Sequence, residues 1–321
     1  MRLAVIGAGA VGSYIAGLLA RHDVEVRLLA RGAHLEAIRR DGLFVRTPSE
    51  SYTIAVDATD DPKALVGSEY ALVTVKGYHL AEIGPGIRLL AENATTIVPL
   101  LNGVDIADRL SELGVPREQI VEGLITLSVY RTEPGRVELR SPFQRATLGE
   151  ANGALSARTV VLGTALHQAG LATRISREIR LDLWRKFAFL TPMAAACALL
   201  RAPIGEVLST SGGRELLIDA LSEVIAVGRA TGIAWAAHDE AKARAALESL
   251  PASMKPSFLV DIENGRRTEI ETLSGTIVRL GREHGVETPV HARVVRELSD
   301  EDDLQTSNLS PGEQRPLSLA S

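Results

Sequence analysis

The chain has 321 residues, enough for two domains, and its 45% hydrophobic and 23% charged residues allow a sizeable core and exclude global disorder. Aromatic residues make up only 4% and the formal net charge is −5, which argues against a base-stacking or polyanion-binding surface, so no nucleic-acid partner is expected. The single cysteine, Cys197, excludes an intrachain disulfide and a cysteine-rich zinc site, and its apolar surroundings read as those of a buried thiol. The opening Met1-Arg2-Leu3-Ala4-Val5-Ile6-Gly7 is too short for a signal-peptide core. No run approaches the roughly 18 apolar residues of a membrane span, so a cytoplasmic protein without a membrane partner is the expectation.

In chain order, the first half alternates short aliphatic runs with helical patterns. Leu3 to Ile6 ends in glycines, and Ala10 to Ala20 has the pattern of a helix. Val24 to Leu29 is the next strand, followed by a helical stretch from about His34 to Arg40. Further strands are expected over Tyr70 to Val75, ending at Lys76-Gly77, and over Thr96 to Leu101, ending at Asn102-Gly103. Such runs with helical crossovers predict an α/β fold: a Rossmann-type, doubly wound parallel sheet covered on both faces. Gly123 to Tyr130 and Arg136 to Arg140 are expected to extend that sheet.

From about Arg177 the texture becomes helical, with patterns over Leu181 to Leu200, Gly213 to Thr231, His238 to Leu247 and Glu269 to His284. The predicted organisation is therefore a dinucleotide-binding domain over 1–176 and an all-helical domain over 177–298. An acidic, then Ser/Pro/Gln-rich tail over 299–321 reads as disordered. The helical faces are apolar enough for a homodimer, although core and interface patterns look alike in sequence.

Gly7-Ala8-Gly9-Ala10-Val11-Gly12 is a G-x-G-x-x-G placed between a strand and a helix, the context in which that motif binds a dinucleotide. Gly7 permits the tight turn, Gly9 lets the backbone approach a pyrophosphate, and Gly12 permits close packing of helix on sheet. The helix N-terminus then offers N–H groups to the phosphates. NAD-binding versions carry an acid at the end of the second strand, on the ribose 2′-hydroxyl. Here Arg27-Leu28-Leu29 runs instead into Ala30-Arg31-Gly32. Arg31 either pairs with a 2′-phosphate, which makes NADPH the expected cofactor, or is a solvated surface residue. Lys76 and Asn102 close two parallel strands at their carboxyl ends, where such sheets bind ligands. Each is either a ligand-facing group or an ordinary strand-end polar residue.

Together with Val73-Thr74-Val75-Lys76, Leu101-Asn102-Gly103-Val104, Leu183-Trp184-Arg185-Lys186-Phe187, Ser257-Phe258-Leu259-Val260-Asp261 and Thr268-Glu269-Ile270-Glu271, these residues give a chain that resembles the ketopantoate reductase (2-dehydropantoate 2-reductase) family from Met1 to about Leu298. The resemblance implies NADPH-dependent reduction of a small 2-keto acid to the 2-hydroxy acid, in the branch leading to pantothenate. It implies a general-acid role for Lys186 and a substrate-binding carboxylate at Glu269 that also organises the lysine. It further implies that Ser257 hydrogen-bonds the substrate carboxylate, and that Asn102 from the first domain meets Lys186, Ser257 and Glu269 from the second in an interdomain cleft. Beside that resemblance, a buried lysine of lowered pKa can protonate the alkoxide that hydride addition leaves, whereas a lysine beside Arg185 can equally snorkel to the surface. Glu269 could serve as a surface residue opening a helix, and Ser257 as a helix N-cap after Pro256.

The family's reductases carry asparagines four and eight residues after the lysine, where this chain has Leu190 and Ala194, with Pro192 expected to kink the helix between them. That departure, with Lys255-Pro256 in place of small hydroxyl residues, points to a less polar pocket and to a paralogue acting on a bulkier, more apolar keto acid. A non-catalytic NADPH-binding regulator is the reading from another class, and the lysine–glutamate pair argues against it. No histidine spacing suits a metal, and no metal site is expected.

Overall fold

The computed structural model describes residues 1–307. The chain divides into two compact units. Among the described residues, one comprises Met1–Leu101 and Asp105–Ile179; the other takes Asn102–Val104 and residues 180–307. The main changeover lies a few residues beyond Ser176. Asn102, expected in the first domain, groups with the second unit.

The first unit runs β1 (Arg2–Ile6), α1 (Ala10–Ala20), β2 (Glu25–Leu29), α2 (Gly32–Asp41), β3 (Leu43–Arg46), β4 (Ser51–Ile54), β5 (Asp57–Thr59), β6 (Tyr70–Val73), α3 (Leu80–Glu92), β7 (Thr96–Pro99), α4 (Ile106–Glu112), β8 (Glu122–Thr126), β9 (Val129–Glu133), β10 (Arg136–Leu139), β11 (Arg145–Gly149), α5 (Ala157–Gln168) and β12 (Ala172–Ile175). A five-stranded parallel sheet in the order β5-β2-β1-β6-β7 forms its centre. Because strand side chains alternate faces, β1 feeds two cores. Leu3 and Val5 join Leu28, Leu72 and Val98 beneath α1, whereas Ala4 and Ile6 join Leu29, Ala71, Val73 and Ile97 beneath α3. Burial on both faces is why these strands read as continuous apolar runs rather than as alternation.

The expected extension of this sheet does not occur. Gly123 to Tyr130 is two strands in two other sheets: β8 pairs antiparallel with β11 in the order β12-β11-β8, and β9 pairs with β10 in the order β4-β3-β10-β9. The chain changes sheets at Leu127-Ser128, where Ser128 N–H is held by Ser141 Oγ and Ser128 C=O accepts from Arg140 N–H. Strand propensity reports that a segment is extended, not which neighbour it pairs with. His34 fastens these layers together. Its Nδ1 accepts from the Gly135 N–H at the β9–β10 turn, so Nε2–H faces Ser13 Oγ on α1 at 2.9 Å. Burial lowers its pKa to about 4 and keeps the ring neutral.

In the second unit every described element is helical: α6 (Ile179–Leu200), α7 (Ile204–Ser209), α8 (Gly213–Ala230), α9 (Ala237–Glu248), α10 (Ser257–Glu263), a π-helical turn (Glu271–Gly275), α11 (Thr276–His284) and α12 (Pro289–Ser307). α6 continues through Pro192, and its Ala194–Ala198 stretch is buried against α8 residues such as Leu217, Leu221 and Val224. By length and composition α6 would suffice to cross a membrane, contrary to the sequence expectation, but most of its apolar window is buried inside the unit. Cys197 lies in this core with its thiol pKa pushed up to about 12 by burial. Glu223 on α8 accepts from the Val290 and His291 N–H groups and so caps α12 from a distance. The helix α12 runs through Ser307, so the tail expected to be disordered from 299 is helical at its start. Residues 308–321 of that expectation lie outside the described residues.

Candidate active site

The glycine turn has the geometry its sequence predicts. Gly7 sits at φ +107°, in the region L side chains avoid, and a Cβ there would lie 2.7 Å from Val75 Cγ1. A Cβ on Gly12 would stand 2.0 Å from the Gly7 carbonyl oxygen and 2.3 Å from Thr74 Oγ1, so only glycine lets α1 approach so closely. Gly9 differs: it is the N-cap of α1, and a Cβ there meets nothing within 4 Å. The space in front of the helix N-terminus is therefore open, with Ala8, Ala10 and Val11 around it and no capping side chain. That cradle fits a dinucleotide pyrophosphate. The sheet order reverses at β1, and the turns after β1 and β6 flank this switch point, where open α/β sheets bind ligands.

Sequence reasoning gave Thr74 no role. Its hydroxyl, just past β6, donates to the Gly7 carbonyl at 2.8 Å and fixes the glycine turn to the neighbouring strand. The available signal is a hydroxyl side chain directly after the apolar run Ala71-Leu72-Val73. Lys76, expected at the end of its strand, lies three residues beyond β6; it is partly buried and is the N-cap of a short 3-10 turn, Gly77–His79. Arg31, at the N-cap of α2, pairs through Nη1 with Glu82 Oε1 at 2.9 Å, and His79 Nδ1 stands 2.9 Å from Glu82 Oε2. Glu82 lies far along the chain from Arg31, and no local pattern in the sequence connects them.

In the second unit Lys186, Asn102 and Glu269 come together. Lys186 is on α6, between Trp184 and Phe187, which meet edge to face at 5.9 Å. Arg185, next to it, is turned into ion pairs with Asp182 and Asp239, so the two cations do not share a direction. Lys186 Nζ donates to Asn102 Oδ1 at 3.0 Å, and Asn102 Nδ2 reaches Glu269 Oε2 at 3.4 Å. The amide thus accepts from the ammonium at one end and donates to the carboxylate at the other, which fixes its orientation. Burial draws the Lys186 pKa from 10.5 down to about 8, and the Glu269 carboxylate opposes part of that fall. A snorkelling surface lysine would show neither effect.

Glu269, a buried carboxylate, does not open a regular helix as expected. It precedes the π-helical turn, in which the Gly275 N–H bonds the Ile270 carbonyl. Such wide turns recur where a helix must present functional groups. Ser257 is exposed at the first residue of α10, with Pro256 rather than Ser257 as the N-cap, and no hydrogen bond joins it to the other three among the described residues. Leu190 is partly buried and Ala194 fully so, one and two helical turns beyond Lys186. No group of histidine, cysteine and acidic residues among the described residues could hold a metal.

Comparison with known proteins covers nearly the whole chain. Residues 3–153 match the family model described as ketopantoate reductase PanE/ApbA, and residues 178–301 match that of its C-terminal domain. A 2-dehydropantoate 2-reductase of Halobacterium salinarum is 30% identical over 302 residues, spanning 94% of this chain and 97% of that one. The crystal structure of 2-dehydropantoate 2-reductase from Geobacter metallireducens has a TM-score of 0.85 at 29% identity, covering 94% of this chain and 99% of the other. The structure of a D-mandelate dehydrogenase with NADH and anilino(oxo)acetate shares the fold, with a TM-score of 0.85 at 24% identity over 95% of this chain and 100% of that one. The chain therefore belongs to the ketopantoate reductase family of pyridine-nucleotide oxidoreductases, whose members are 2-dehydropantoate 2-reductases or related 2-keto acid reductases.

Proposed function

We propose that this protein reduces a 2-keto acid to the 2-hydroxy acid with NADPH, Lys186 serving as general acid. The observation that carries the reading is the Lys186–Asn102–Glu269 chain, which pairs a lysine of pKa about 8 with a buried carboxylate through one amide. Gly7, Ala8, Gly9, Ala10, Val11 and Gly12 would hold the pyrophosphate, Arg31 the 2′-phosphate, and Lys76 the ribose or a phosphate. The chemistry supplied by the dinucleotide when bound is hydride delivery to the keto carbon.

What the chain itself must do is handle one proton and one small anion. Below pH 8 most Lys186 is protonated and can give a proton from Nζ to the developing alkoxide. Its nearness to neutrality makes that transfer easier than from an ordinary lysine. Asn102 holds Nζ in one direction, and Glu269 keeps the ammonium form populated despite burial. Glu269 also has the acceptor capacity to bind a substrate hydroxyl, and Ser257, by the family resemblance, would donate to the substrate carboxylate. The apolar, partly buried Leu190, one turn beyond Lys186, favours a keto acid bulkier and less polar than ketopantoate as the preferred substrate, whereas Ala194 lies in the core against α8.

A panel of 2-keto acids with NADPH, followed by loss of reduced-nicotinamide absorbance, tests the activity. Lys186→Ala should lower kcat by about 10²–10⁴ while NADPH affinity changes little. Undiminished turnover in that variant would remove the lysine from the mechanism. NADPH binding without turnover of any keto acid would make the protein a cofactor-responsive regulator instead.

A further inference from the structure

The acid that β2 lacks reaches the end of that strand from another element of the same unit. Glu82, in the first turn of α3, sits between Arg31 and His79 with both carboxylate oxygens engaged, at 2.9 Å each. It is also the one charged residue on an otherwise apolar cleft that includes Ile6, Leu29, Pro62, Leu65 and Ile83, at the carboxyl ends of β1 and β2. Arg31 and Glu82 keep 33% and 25% of their side-chain exposure, so the pair remains open to an incoming ligand.

A guanidinium already neutralised by a carboxylate is a weaker receptor for a phosphate than a bare one. A 2′-phosphate must compete with Glu82 for Arg31 and is repelled by the carboxylate as it does so. A ribose 2′-hydroxyl meets the opposite situation, since it can donate to the same carboxylate, as it does to the strand-end acid of NAD-binding sites. We infer that Glu82 is a specificity-determining residue of the adenosine 2′ subsite, moderating the preference for NADPH that Arg31 confers; this rests on the NADPH reading proposed above. One subsite thereby carries a cation for the phosphate and an acid for the hydroxyl, and NADH binds as a usable second ligand.

Titrations of the full-length protein with NADPH and with NADH, read by nicotinamide fluorescence, test this in wild type, Glu82→Gln, Glu82→Ala and Arg31→Ala. Both Glu82 variants should tighten NADPH by about twofold to fivefold, as loss of a partly exposed charge pair allows, and leave NADH unchanged or weaker. The ratio of the two affinities is the decisive readout, because a merely structural role for Glu82 would move both ligands together. A ratio unchanged or lowered in both variants overturns the inference. If Arg31→Ala loses the NADPH preference while the Glu82 variants do not raise it, only the role of Glu82 falls. If Arg31→Ala leaves the ratio untouched, the NADPH assignment falls and this inference with it.

Discussion

Replacing Glu269 by glutamine separates the electrostatic role of the carboxylate from its shape. The Lys186 pKa of about 8 is the outcome of burial, which lowers it, and of Glu269, which raises it. Removing the negative charge leaves burial unopposed, so the pKa of Lys186 must fall further. The two charges communicate across one amide, with links of 3.0 and 3.4 Å on either side. At a separation of roughly 6–9 Å and an effective dielectric of about 20, Coulomb's law gives about 2–3 kcal/mol, or between one and two pH units. A group that must be protonated to act loses activity as pH rises through its pKa. Wild-type single-turnover rates should therefore be level at low pH and decline through about pH 8. In Glu269→Gln the same decline should begin at least about one pH unit lower. Single turnovers followed by nicotinamide absorbance isolate the chemical step from product release. A wild-type rate that stays level to pH 10, or a decline that does not move in the variant, would refute this account of the proton donor.

Two glycines of one motif should fail in different ways. Gly9→Ala places a methyl in open space and should leave the melting temperature unchanged while weakening cofactor binding by about tenfold or more, whereas Gly12→Ala drives a methyl into the Gly7 carbonyl and should cost about 1–3 kcal/mol or more, seen as a melting point lower by several degrees. Leu190→Asn should shift kcat/KM toward ketopantoate over an apolar keto acid by about threefold to tenfold, the worth of one neutral hydrogen bond, and no shift in a variant that melts normally would make this position silent in substrate choice.

The parts of this fold that are local in sequence were legible there. The glycine turn spans only six residues, and the central strands announce themselves because both faces are buried. The two small sheets were not legible, since the pairing of β3 with β10 joins segments about ninety residues apart and aliphatic content carries no partner information. The same limit applies within the candidate site. That Asn102 meets Lys186 and Glu269 follows from the family resemblance, but that it groups with the helical unit rather than with the first domain is a fact of three-dimensional proximity. Glu82 is hidden in the sequence for the same reason: an acid at the 2′ subsite is expected at the end of β2, and the carboxylate comes from α3.

The π-helical turn at Glu271–Gly275 gives the last helices a property that a regular helix lacks. Each residue of an α-helix advances the chain by about 100°, so one additional residue in a turn rotates everything before it relative to everything after it. Beyond the turn, Ile277 must face α8 to complete the core of this unit, and before it Glu269 must face Asn102. The wide turn acts as a phase adjuster between these two demands. Residues can be selected on one side for packing and on the other for chemistry, without a change in either displacing its counterpart.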